Sequence, residues 1–126
     1  MNDIFIILLM LFFHVIADYN LQGWLASAKQ KSYWKENAPE KLYKYDYICA
    51  LLVHSFSWAF MIMLPIAIDM SFTVDAPFVM ILIGNMIGHA MVDHEKANEK
   101  IINLWIDQLL HLFQIGMTGL WYFDVI

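Results

Sequence analysis

Four apolar runs dominate this chain, and each carries polar groups that are costly to place in oil. The runs cover residues 4–17 (continuing weakly to 28), 47–68, 76–92 and 101–123. A helix needs about 20 residues to cross the hydrocarbon core of a bilayer. The second and fourth runs meet that length outright. The first and third reach it when their polar ends are included, which places those ends near the interface. Helices this apolar leave no face for water, so a membrane bundle is expected over a soluble one with a rich core. The hydrophobic share of 61% agrees, since soluble domains sit near half. The expected fold is all-α: a four-helix transmembrane bundle in one domain over residues 1–126. Its helices fall at about 4–28, 45–68, 76–95 and 100–123, with a loop at about 29–44.

The first run is not expected to be a cleaved signal. Met1-Asn2-Asp3 has no basic residue and no small-residue cleavage site follows. The single cysteine, Cys49, lies in an apolar run and cannot form an internal disulfide. The net charge of −5 is not read as an acidic binding surface, because part of it lies within the apolar runs. No phosphate-binding glycine loop, CxxC pair or HExxH is present, and Ser55 and Ser57 have no base at useful spacing.

Lysine placement gives a topology. All seven basic residues are lysines: Lys29, Lys31, Lys35, Lys41 and Lys44 between runs one and two, Lys96 and Lys100 between runs three and four. The positive-inside rule puts both loops in the cytoplasm and both termini outside, as two out–in–out hairpins. Tyr33, Trp34, Tyr43, Tyr45 and Tyr47 cluster beside these lysines as an interfacial belt does. Asn37-Ala38-Pro39-Glu40 resembles a capping box and is expected to start a helix. Asp75-Ala76-Pro77 should start the third helix, Pro65 should kink or end the second, and residues 95–100 should form a tight turn.

Metal-binding residue types recur at one-turn spacing inside these runs: His14-x3-Asp18, His89-x3-Asp93 and Asp107-x3-His111, with His54 on the remaining run. Residues four apart share a helix face, and ionisable groups in a membrane mark function by default. At 1.5 Å per residue from the lysine boundaries, Asp93 lies at roughly 5 Å, His89 and Asp107 at about 10 Å and Asp18 at roughly 12 Å. His54, His111 and His14 follow at about 15–18 Å. The set is thus expected in the cytoplasmic half. The ladders His14–Asp18–Gln22 and Asn103–Asp107–His111 both place histidine deepest and an amide shallowest. A weak repeat relates His14-x3-Asp18 and His54 to His89-x3-Asp93 and His111. A two-fold axis along the membrane normal would then bring both stripes to one site. Three carboxylates with no lysine expected at their depth call for a cation or for protons. His14, Asp18, His54, His89, Asp93 and His111 are the expected ligands of a divalent metal, zinc first. Asp107 is the expected general base, having no acidic counterpart in the repeat. Gln22, Asn103, Gln108 and Lys96 are expected to support the ligands or touch substrate.

The segments HVIADYNLQ (residues 14–22), His54, GHAMVDHEK (88–96) and IDQLLH (106–111) resemble domain-of-unknown-function family 3307, small integral membrane proteins of bacteria and their phages. The resemblance spans most of the chain and implies a membrane fold with little attached biochemistry. A looser likeness, in the scatter of His and Asp on membrane helices, is to the YdjM-type membrane-bound metal-dependent hydrolases. The functional expectation is a metal-dependent hydrolase of the inner membrane, acting on a lipid or lipid-linked substrate at the cytoplasmic leaflet. Membrane lipids are expected partners, nucleic acid is not, and a homo-oligomer is compatible. Two alternatives stay open: metal or proton transport or sensing through the same groups, and a small phage or bacterial interaction protein whose polar network only fixes packing.

Overall fold

A computed structural model of the protein describes residues 1–124. It is all-α, 80% helical, with no strand among the described residues. The first helix, α1 (Asp3–Val15), is capped by Asn2, whose side-chain oxygen accepts from the Ile4 and Phe5 amides at 3.0 and 3.4 Å. It runs on into a π-helical turn, Ile16–Asn20, and stops. Gly23 then takes a left-handed φ of +54°, a conformation glycine adopts without a Cβ penalty. Two short helices follow, α2 (Leu25–Ala28) and α3 (Lys31–Asn37). The first run is therefore not one helix to residue 28. The break at Gly23 turns α2 back to pack on the start of the next long helix, which brings Lys29 to 7% exposure.

Asn37 ends α3 instead of starting a helix, and its side chain donates to the Tyr33 carbonyl at 2.8 Å. This corrects the expected capping box: the following residues make only a 3₁₀ turn, Lys41–Tyr43. α4 (Asp46–Asp69) is the central helix, touching α1, α2, α3 and α5. Pro65 is buried within it and does not end it. α5 (Ala76–His94) begins as expected, with the Asp75 carboxylate accepting from the Phe78 amide at 2.9 Å and proline in the first turn. The expected tight turn at residues 95–100 is instead a second π-helical turn, Glu95–Glu99. The reversal comes at Lys100 (φ +57°), and Asn103 caps α6 (Leu104–Tyr122).

Three segments, Asp3–Asn20, Lys41–Asp69 and Ala76–Glu99, are long and apolar enough to cross a membrane. The bundle also wears its apolar side chains outward. Ile4, Leu8, Phe12, Phe56, Met80, Met91, Leu109 and Phe113 are all at least half exposed. A soluble monomer rarely shows so continuous an apolar surface. The interior divides in two. Ile6, Met10, Ile62, Met63, Ile66 and Ile115 fill the half away from the lysines. The lysine-bearing half is filled by ionisable groups, and Trp58, 0% exposed, lies between the two.

Candidate metal centre

Five elements deliver seven ionisable side chains to one place. His14 comes from α1, Asp18 from the first π turn, His54 from α4, His89 and Asp93 from α5, and Asp107 and His111 from α6. All seven are at most 7% exposed. The one-turn spacings explain the convergence, because each pair projects from a single helix face toward the bundle axis.

Four donors make a compact set: Asp18, His54, His89 and Asp93. The His54 and His89 Nε2 atoms are 3.1 Å apart. From His54 Nε2 to Asp18 Oδ1 is 3.4 Å and to Asp93 Oδ2 3.3 Å. From His89 Nε2 the same oxygens lie at 3.7 and 3.6 Å. A tetrahedral ion bound at about 2.0–2.1 Å requires donors about 3.3–3.4 Å apart. All five separations lie close to that edge length, and nitrogen plus carboxylate oxygen is the chemistry zinc and its neighbours accept.

A second set joins Asp18, Asp107 and His111. His111 Nε2 is 3.5 Å from Asp107 Oδ1 and 3.3 Å from Asp93 Oδ1. His111 Nε2 and Asp107 Oδ1 are both buried without a hydrogen-bond partner. Gln114 Nε2 donates to the Asn85 carbonyl at 3.2 Å, so its Oε1 is left to accept from His111 Nδ1, also at 3.2 Å. That bond puts the proton of a neutral ring on Nδ1 and leaves the Nε2 lone pair facing the carboxylates.

His14 stands apart from both sets, its two ring nitrogens already engaged. Trp58 Nε1 donates to Nδ1 at 2.8 Å, so the neutral ring donates from Nε2 to Gln108 Oε1 at 3.0 Å. Gln108 Nε2 in turn donates to Asp18 Oδ2 and Asp107 Oδ2, both at 2.9 Å. The chain Trp58–His14–Gln108 thus presents two donors to two carboxylates. Trp58 also stacks on His89, which stacks on His111, with ring centroids 4.2 and 4.0 Å apart and interplanar angles of 23° in each case.

Lysine does reach the carboxylates, against the sequence expectation. Lys29 Nζ lies 2.7 Å from Asp93 Oδ2 with both side chains buried, and Lys96 Nζ lies 3.4 Å from Asp107 Oδ2. Lys29 is held there by Asn98, which accepts from the Lys31 amide at 2.7 Å and donates to the Lys29 carbonyl at 3.0 Å. Lys31 pairs with Glu99 at 3.2 Å, a hydrogen bond that raises its ammonium above the ordinary lysine value. A cleft of about 360 Å³ lined by Gln22, Lys29, Asp93, Lys96 and Lys100 opens at this end of the bundle.

The other sequence candidates fall as follows. Gln22 donates to the Asp18 carbonyl at 2.6 Å and lines the cleft. Asn103 is exposed and spent on capping α6, donating nothing to the centre and accepting from Ile106 N at 3.0 Å. This corrects its expected supporting role, since a helix start uses the side chain locally. His94, next to Asp93 in the chain but not a candidate, stays outside, stacked on Tyr47 with Nε2 3.2 Å from Glu99 Oε1. Trp58, Lys29, Asn98 and the His111–Gln114 bond were not singled out from the sequence. Only Gln114, three residues from His111 on one helix face, carried a spacing that pointed to its partner.

The family model described as "Protein of unknown function (DUF3307)" matches residues 4–125. The chain belongs to this family. The DUF3307 match takes in every residue of both donor sets. Comparisons with curated proteins and with solved structures gave no match, so the likeness to YdjM-type hydrolases gains no support from them.

Proposed function

We propose that this DUF3307 protein is a metal-dependent hydrolase of the inner membrane, acting on a lipid or lipid-linked substrate at the cytoplasmic leaflet. In this reading α1, α4, α5 and α6 span the bilayer with both termini outside. Asp18, His54, His89 and Asp93 hold a divalent ion, zinc first. The observation that carries it is the set of donor separations, 3.1–3.7 Å, which suits one shared cation. A metal with an open position lowers the pKa of its water toward neutrality. In a one-ion centre Asp107, outside the four donors, is the candidate base. The cleft with Lys29, Lys96 and Lys100 suits an anionic headgroup arriving from the leaflet.

Metal analysis of the protein purified in mild detergent tests this. Bound zinc or another divalent ion should be present, and a His54→Ala, His89→Ala double variant should lose it. Vesicles of anionic phospholipid should then release headgroup in the presence of the loaded wild type and not of Asp93→Asn. Protein that neither retains an ion nor gains thermal stability from added Zn²⁺, Mn²⁺ or Mg²⁺ counts against the reading, because a ligand of the folded state must stabilise it. One observation favours the transport reading. Asn85 donates to Thr118 at 2.8 Å, and Gln114 links both to His111, extending polar contacts toward the far end. Metal uptake into proteoliposomes, without hydrolysis, would select that reading.

A further inference from the structure

We propose that the centre holds two cations, not one, bridged by the Asp93 and Asp18 carboxylates, with Asp107 and His111 completing the second position. This rests on the metal reading above and extends it. Asp93 points its two oxygens in different directions. Oδ2 faces His54 and His89, at 3.3 and 3.6 Å, while Oδ1 faces His111 Nε2 at 3.3 Å. Asp18 is common to both donor sets, with Oδ1 toward His54 and His89 and Oδ2 accepting from Gln108 Nε2. Carboxylates shared in this way hold two ions about 3.5–4 Å apart, the spacing of two-metal hydrolytic centres.

The second position has its own independent mark. His111 Nε2 and Asp107 Oδ1 are fully buried, 3.5 Å apart, and neither has a hydrogen-bond partner. Leaving two such atoms unsatisfied is destabilising, because each loses its water without gaining a partner. A proton between them would serve one bond, but the geometry does not make it. In the neutral ring the Gln114 oxygen holds the proton on Nδ1, and the His111 and Asp107 lone pairs then face each other. A cation satisfies both. The stacking of His89 on His111 keeps the two rings side by side, each presenting Nε2 to its own donor set.

Charge then selects the substrate class. Lys29 and Lys96 offset part of the three carboxylates, so a pair of divalent ions leaves the centre cationic. An anionic phosphate ester entering by the lysine-lined cleft restores the balance, and two metals stabilise both the attacking and the leaving oxygen of a phosphoryl displacement. Water's oxygen bonds to phosphorus as the P–O ester bond breaks, one of that water's protons ends on the departing alcohol oxygen, and no redox partner is needed. In this arrangement Asp107 is a ligand and not the base.

Equilibrium dialysis of the chelator-stripped protein against Mn²⁺ or Zn²⁺, read by mass spectrometry of the metals, decides the stoichiometry. Two ions per chain are expected in the wild type and one in His111→Ala and Asp107→Asn. Electron paramagnetic resonance of the Mn²⁺-loaded wild type needs no variant and guards against misfolding of those two. An exchange-coupled spectrum is expected from bridged ions. One ion per chain with an isolated six-line spectrum overturns the two-ion centre and leaves the single-metal hydrolase standing. Two ions without coupling overturns the bridge. No ion at all overturns both.

Discussion

Gln108 and Lys29 bond the buried carboxylates without belonging to either donor set. Gln108 accepts from His14 and donates to Asp18 and Asp107. Replacing it with leucine keeps most of the volume but strips a partner from three buried groups. Each unsatisfied group costs about 1–3 kcal/mol, so Gln108→Leu should lower the unfolding temperature in detergent markedly more than an outward-facing Leu109→Ala. Gln108→Glu sets a further carboxylate against two existing ones. Its defect should be largest in chelator and shrink on adding Zn²⁺, a reversal that a packing fault would not show. Lys29 tests the opposite sign of charge. Removing one partner of a buried ion pair costs about 3–5 kcal/mol, because the other charge is left uncompensated. Lys29→Met should therefore destabilise the metal-stripped protein by about that amount, and bound metal should recover much of the loss at Asp93. A Lys29→Met variant equally unstable with and without metal would mean that the lysine serves packing alone.

Gly88 on α5 lies against the Gln114 side chain of α6, the hydrogen-bond partner of His111. A Cβ at Gly88 would come within 2.7 Å of Gln114 Nε2, whereas Gly84 and Gly116 have open space. The obstructed atom is the end of a flexible side chain, so it can move, and alanine favours a helix by about 1 kcal/mol over glycine. Gly88→Ala should fold with near wild-type stability yet displace Gln114 from His111. Loss of such a supporting hydrogen bond typically costs 10–100-fold in metal affinity. Dialysis should show weakened Mn²⁺ binding in Gly88→Ala and unchanged binding in Gly84→Ala. An unchanged affinity in Gly88→Ala would separate Gln114 from any role in orienting His111. The same element-level view explains what could be read in advance. His89-x3-Asp93 and Asp107-x3-His111 sit in regular α-helix, where a four-residue spacing fixes a shared face, and His14-x3-Asp18 runs from α1 only into the start of the first π turn. Lys29 and Asn98 come from places where that periodicity fails: a short helix after the left-handed Gly23, and a π turn. π turns occur often at functional sites, but their register is not visible in an apolar pattern. Asn103 misled for a related reason, since an amide one turn before Asp107 reads equally as a ligand support or as a cap. Trp58 carries no polar pattern of its own and was hidden in the apolar stretch that buries it.

The molecule as a whole is polarised along the bundle. Lys29, Lys31, Lys96, Glu99 and Asn98 meet at one end, and Trp24, Tyr33 and Trp34 pack edge to face beside them. At the other end Tyr122 donates to Asp69 at 2.6 Å, joining the ends of α6 and α4, and the interior is mainly apolar around the buried Asn85–Thr118 pair. Lysine retention on the cytoplasmic side is the strongest determinant of orientation for short loops. Every lysine of the chain lies in the loops at this one end or in their flanks, so no second signal competes with it. The centre should then open to the cytoplasm, where metabolic phosphate esters and the inner leaflet are both within reach of the lysine-lined cleft. Single cysteines placed at Lys35 and at Asn2, in a Cys49→Ser background, test this in intact cells. A membrane-impermeant maleimide should label Asn2→Cys from outside and should label Lys35→Cys only after the cells are opened. The background change matters, because Cys49 is exposed on α4 near the lysine-bearing end. Labelling of Lys35→Cys in intact cells would invert the bundle. It would leave the geometry of the donors untouched but turn the cleft, and any substrate it admits, to the opposite side of the membrane.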